Sequence, residues 1–217
     1  MASLGHLIGQ MNRKEKYANS SNDPAWRAYR KAEKLNDPEC LPMLKEMISD
    51  RSGKEQQEIR SAAYFIMGKL LAKRPEAEYI AFFIDQIAAE TDQQVISQML
   101  RRIGEIEIPL PQPMEAIIAL TEDARWQVRD EAIYALGSQN SDRCRALLRG
   151  FAALEDHKAH SGEIVKAQAA LMKIGGPEDI DLLEKNLHSK IKDIRESAEF
   201  VIRALRARVH NDKEESK

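Results

Sequence analysis

Aromatic side chains are scarce, making up 6% of the 217 residues, and the chain has only two cysteines. Cys40 and Cys144 stand more than a hundred positions apart. That spacing excludes a dense disulfide framework or a cysteine metal knuckle, and it fits reduced thiols. No apolar run approaches the ~18 residues of a membrane-spanning helix. Charge of one sign is missing too: 33 Lys and Arg face 35 Asp and Glu, a net of −2. Such a balance gives no global pull towards nucleic acid or an anionic membrane. The opening MASLGHLIGQMNRKEKY has no charged-then-apolar leader, so the sequence predicts a soluble, cytoplasmic protein. GxSxG, P-loop and GxGxxG patterns are absent as well, and with them the usual signals of an enzyme or a bound cofactor.

What the chain does have is a repeat. VRDEAIYALG at Val128–Gly137 recurs as IRSAAYFIMG at Ile59–Gly68 and VISQMLRRIG at Val95–Gly104. KAQAALMKIG ending at Gly175 is a looser copy, and IRESAEFVIR at Ile194–Arg203 is the last. The copies recur every 28–38 residues with helical periodicity, which predicts stacked helix pairs. Start signals mark the partner helices: Asp37-Pro38, Pro75, Pro111–Pro113, Ser141-Asp142 and Pro177. Proline is tolerated in a first turn because its missing N–H would go unpaired there anyway. The expected pairs span 38–74, 75–109, 111–140, 142–175 and 177–209, behind a capping helix at about 24–36. The domain reading is an N-terminal segment (1–23), one repeat domain (24–209) and a polar, fraying tail (210–217).

On a helical wheel the buried stripe of the clearest copy is Val128, Ala132, Ala135 and Leu136. Ala63, Ala170 and Ala198 take the Ala132 place elsewhere; the second copy, with Met99 and Arg102, must pack differently. Glu122–Gly137, EDARWQVRDEAIYALG, resembles the second helix of HEAT repeats, in particular the short bacterial type found also in phycobilisome-lyase-like proteins. The resemblance covers roughly 38–209 and implies an all-α, right-handed α/α superhelix, a HEAT- or armadillo-like solenoid whose second helices line a concave face. It also implies an Asp–Arg ladder between repeats. Asp123 with Arg129 matches it, Arg60 and Arg195 share the Arg129 place, and Ile96 departs. No single chemistry follows from such a fold.

Two places after the buried alanine, the wheel points away from the packed side. Phe65, Arg101, Tyr134, Met172 and Phe200 occupy that place in the five copies. Aromatics, Met and Arg are the residues enriched at interface centres. The row predicts a partner-binding face for a protein or peptide, with Arg101 selecting an acidic or carbonyl-rich segment. Its expected polar rim is Ser61, Lys69, Ser97, Glu105, Asp130, Ser138, Gln168 and Glu196. The resulting function is a non-enzymatic interaction scaffold, without metal or cofactor, and with nucleic acid an unfavoured partner.

The alternative function is a DNA-binding or alkylpurine DNA glycosylase-like repair protein built on HEAT-like repeats, using Trp126, Asp130 and clustered arginines. The slightly acidic chain argues against it, because such a protein must grip several phosphates. His157 and His160 have a chelating spacing but lack further ligands, and read as a solvated loop. Leu4, Leu7, Ile8 and Met11 predict a short amphipathic helix over the first repeat. The proline-rich Ile108–Pro113 reads as a stiff connector.

Overall fold

A computed structural model describes residues 4–14, 22–109 and 111–215, without the side chains of Lys54 and of 209–215. Among the described residues there are twelve α-helices and no strand. They fall into two compact units, Met1–Ile106 and Glu107–Lys217.

The first unit holds α1 (Leu4–Met11), α2 (Pro24–Lys34), α3 (Cys40–Ser49), α4 (Lys54–Lys73), α5 (Ala77–Asp85) and α6 (Gln93–Glu105). Leu4, Leu7, Ile8 and Met11 are all buried, and α1 packs on α2 and α4. This turns the i, i+3, i+4, i+7 stripe inward, over the first repeat. Asp23 accepts the Ala25 N–H (2.8 Å) and sets Pro24 as the first residue of α2. Asp92 accepts from both Gln94 and Val95 to open α6, a cap worth ~1 kcal/mol. Gly68 of α4 lies against α6, where an added Cβ would come within 2.4 Å of the Arg102 Cβ. The bare glycine makes room for the arginine that replaces a small residue in the second copy.

The second unit holds α7 (Glu115–Leu120), α8 (Trp126–Ala135), α9 (Asp142–Ala152), α10 (Ser161–Ile174), α11 (Ile180–Asn186) and α12 (Lys192–Glu215). α10 is its centre, packed on α8, α9 and α12. Ala132, Ala170 and Ala198 are fully buried there, as Ala63 is in the first unit. Small side chains at this place let second helices approach closely. Ser141 caps α9 through the Cys144 N–H (3.2 Å). The connector before α7 is pinned on both sides of Leu110, which lies outside the described residues. Ile108 N–H donates to the Ser138 carbonyl (2.8 Å) and Gln112 N–H to the Gln139 side chain (2.6 Å). The closing helix runs through to Glu215, beyond Asn211 where fraying was expected.

Three equivalent arginines fasten the turns inside their own pairs. Arg60 Nη1 donates to the Asp50 carbonyl (3.0 Å), Arg129 Nη1 to Asp123 (2.7 Å) and Arg195 Nη1 to Ser189 (2.6 Å). Two of them also reach the following pair through Nε. Arg60 bonds Glu90 Oε1 (3.1 Å) and Arg129 bonds Glu163 Oε1 (2.6 Å). The ladder is therefore Arg–Glu between pairs, not the Asp–Arg side-chain pairing that the resemblance implied. Asp123 meets Arg129 through its backbone; its carboxylate is held by the Arg125 side chain at 2.8 and 2.9 Å. Those bonds, with the Arg125 N–H, keep the Asp123 carboxyl down at a pKa of about 2.

Candidate functional site

The row read from the wheel divides by environment. Phe65 of α4 is half-buried, edge-on to Tyr29 with ring centroids 4.9 Å apart. Arg102 and Lys69 stand over its ring at 5.2 and 5.9 Å, and both pair with Glu105. Arg101 is exposed beside them. Phe65 and Arg101, with Tyr29, Gln94, Gln98 and Arg102, line one cleft of about 350 Å³. Gln98 is fixed in its wall by donating to the Ser61 carbonyl (2.7 Å).

In the second unit Tyr134 is half-buried with Lys166 5.5 Å over its ring. Met172 is half-buried at a separate cleft. Phe200 stands 58% exposed on α12. The geometry thus joins Phe65 with Arg101, while Tyr134, Met172 and Phe200 have distinct surroundings. Cations of the protein itself therefore occupy part of the ring surface of both Phe65 and Tyr134.

The expected rim needs correcting at three places. Asp130 is 8% exposed, Ser138 2% and Gln168 0%. All three lie on elements packed against neighbouring helices, which a wheel drawn for a single helix does not include. Asp130 lies beneath the first turn of α10, so close that a Cβ on Gly162 would strike its Oδ2. Burial, reinforced by the nearby Glu163 carboxylate, raises the Asp130 pKa above the usual range. Trp126 by contrast is 61% exposed, so the aromatic and the carboxylate four residues apart do not share one open surface.

Gln168 has no hydrogen-bond partner at either amide atom. Burying an unsatisfied amide costs ~1–3 kcal/mol. Gln168→Met keeps the shape and removes both polar atoms, so it should stabilise the chain by ~1–2 kcal/mol. Urea denaturation would measure this; a loss of stability would mean that the amide is satisfied in solution.

His157 and His160 are tied down separately. His157 Nδ1 lies 2.7 Å from Ser189 Oγ, and His160 Nδ1 bonds Glu163. Among the described residues no group of three or more His, Cys, Asp or Glu side chains is placed to hold a metal ion. Cys40 and Cys144 are free thiols, the first half-buried and the second buried. No described helix is long and apolar enough to cross a membrane.

No curated protein matches this chain. Among solved structures it is similar to a designed armadillo repeat protein, at 19% identity and a TM-score of 0.50, over 94% of this chain and 100% of that one. An engineered protein from a structural genomics consortium aligns over 95% of this chain and 98% of its own, at 15% identity and a TM-score of 0.51. These likenesses show the fold, an all-α repeat solenoid. A family model of HEAT repeats matches residues 114–206; the match is to the repeat in general and does not reach the phycobilisome-lyase-like subtype. HEAT repeats are thus matched over residues 114–206, within a chain whose fold is an all-α repeat solenoid.

Proposed function

We propose that this protein is a cytoplasmic, cofactor-free interaction scaffold rather than an enzyme, and that its second helices hold a segment of a partner protein. The observation that carries the reading is the cleft of about 350 Å³ in the first unit. It combines an aromatic wall, Phe65 on Tyr29, with the guanidinium groups of Arg101 and Arg102 and the amides of Gln94 and Gln98. An apolar side chain of the partner packs on the rings, the amides meet its backbone, and Arg101 favours an acidic or carbonyl-rich neighbour. Aromatic and Arg side chains carry most of the binding energy at protein interfaces. Exposed Phe200 and half-buried Tyr134 and Met172 add apolar contacts on the second unit.

Because Phe65 also packs on Tyr29, its truncation mixes binding with stability. Arg101 and Phe200 are the cleaner probes. Peptides selected from a displayed random library by the full chain should bind Arg101→Glu about tenfold more weakly, ~1.4 kcal/mol, with unchanged unfolding temperature. Phe200→Ala should weaken them less. Equal affinity of Arg101→Glu for acidic peptides would remove this reading.

A further inference from the structure

We propose a second binding site, at the cleft beside the C-terminal ends of α8 and α10, for an apolar residue that ends in a free carboxylate. The cleft measures about 610 Å³, and its walls include Glu107, Ile108, Ser138, Met172, Lys173 and Arg208. That volume falls in the range of small-ligand sites.

Three observations converge on the ligand's chemistry. First, Ser138 is 2% exposed and its hydroxyl has no hydrogen-bond partner. Its carbonyl is already used by the Ile108 N–H at 2.8 Å. A buried hydroxyl without a partner is unfavourable, and a ligand oxygen in the cleft relieves it. Second, the positive charge is fixed in place. Arg208 Nη1 donates to the Gly175 carbonyl (3.1 Å) and Nη2 to the Met172 carbonyl (2.5 Å). These bonds offset the negative end of α10 and hold the guanidinium at the rim next to Lys173. Third, the charge is ordered: Glu107 supplies the one acidic wall among these residues, and Ile108 and Met172 supply apolar surface. A carboxylate suits the Lys173 and Arg208 side, an apolar side chain suits Ile108 and Met172, and an N–H suits Glu107.

That combination is the last residue of a polypeptide or a free apolar amino acid. The two sources differ in what lies on nitrogen, an acyl group or only protons, so they can be separated. This site shares Met172 with the partner-binding row, but its test substitutes Ser138 and Lys173, which are not members of that row, so the two readings can fail separately.

The experiment is a titration of the ¹⁵N-labelled full chain with leucine, N-acetyl-Ala-Leu and N-acetyl-Ala-Leu-amide. Saturable shifts of the Ser138, Met172 and Lys173 amides are expected with a free acid. The amide should bind at least about tenfold more weakly, as expected for loss of a charge-assisted contact. Saturation by leucine assigns the free amino acid; saturation by the acetylated acid alone assigns a chain end. Ser138→Ala should lower affinity about fivefold while leaving the unfolding temperature equal or higher. A hydroxyl with only a structural role would not produce that combination. Lys173→Glu should abolish binding. Equal binding of acid and amide, unchanged affinity in Ser138→Ala, or no saturation by any probe at millimolar concentration would overturn the proposal.

Discussion

Glu90→Ala should destabilise the chain by ~3–5 kcal/mol, the cost of stripping one partner from a buried ionic network. Glu90 is 8% exposed, and its Oε1 receives Arg60 Nε at 3.1 Å and the Tyr64 hydroxyl at 2.9 Å. Arg51 Nη1 bonds the same oxygen, while its Nη2 reaches Gln86 at 2.7 Å. With the carboxylate gone, the Arg60 charge and the fully buried Tyr64 phenol lose their acceptor together. The acidic neighbour and burial already raise the phenol pKa, burial contributing more. Glu90→Gln keeps an acceptor without the charge and should fall between wild type and alanine. Glu115 provides the contrast: its pair with Arg143 is exposed on both sides, so Glu115→Ala should leave stability unchanged. Urea unfolding of the three variants checks the order. A Glu90→Ala cost no greater than that of Glu115→Ala would mean that the network contributes nothing.

Gly137→Ala is the second large effect, with an expected loss of ~1–3 kcal/mol or more through overpacking. An added Cβ would lie 2.8 Å from the Ala170 Cβ, 2.9 Å from its Cα and 3.0 Å from its carbonyl oxygen. Two of those three atoms are backbone, so no side-chain rotation relieves the clash and the turn after α8 must move away from α10. The glycine's role is close approach: no glycine among the described residues has a positive φ. Gly150 on α9 gives the opposite sign, because a Cβ there meets nothing within 4 Å. Gly150→Ala should gain ~0.5–1 kcal/mol from helix propensity. Thermal unfolding of both variants reads the difference, and equal shifts would refute the packing account.

Much of the architecture was legible because the signals are local. Prolines and Ser141 mark where first helices open, and the recurring alanine marks the face on which second helices meet. The same local reading misjudged Asp130, Ser138 and Gln168. Periodicity gives the direction in which a side chain leaves its helix, but not which helix comes to cover it. The arginine place was read correctly as a recurring structural position, and its partners were not. A guanidinium reaches in two directions at once, and the acceptors are a backbone carbonyl and a glutamate from the next pair, neither at a fixed spacing. The surroundings of Phe65 and Arg101 follow from tertiary neighbours such as Tyr29, which the repeat itself does not contain.

The arginine bonds to the turn carbonyls bear on how such a chain changes length. Each bond runs from a second helix to the turn just before it, so the turn is anchored at the end nearest the stacked helices. Residues added further out form a bulge on the outer side and leave the register of the stack alone. The second and fourth pairs, which carry Ile96 and Ala167 in the arginine place, rely on other fasteners. Asp92 caps α6, and Asp156 accepts the Ala159 N–H at 3.0 Å beside the bonded histidines 157 and 160. The fourth pair also has the longest turn between its two helices, residues 153–160. Insertions or fused tags are therefore expected to be tolerated better in that loop than at the three arginine-anchored turns.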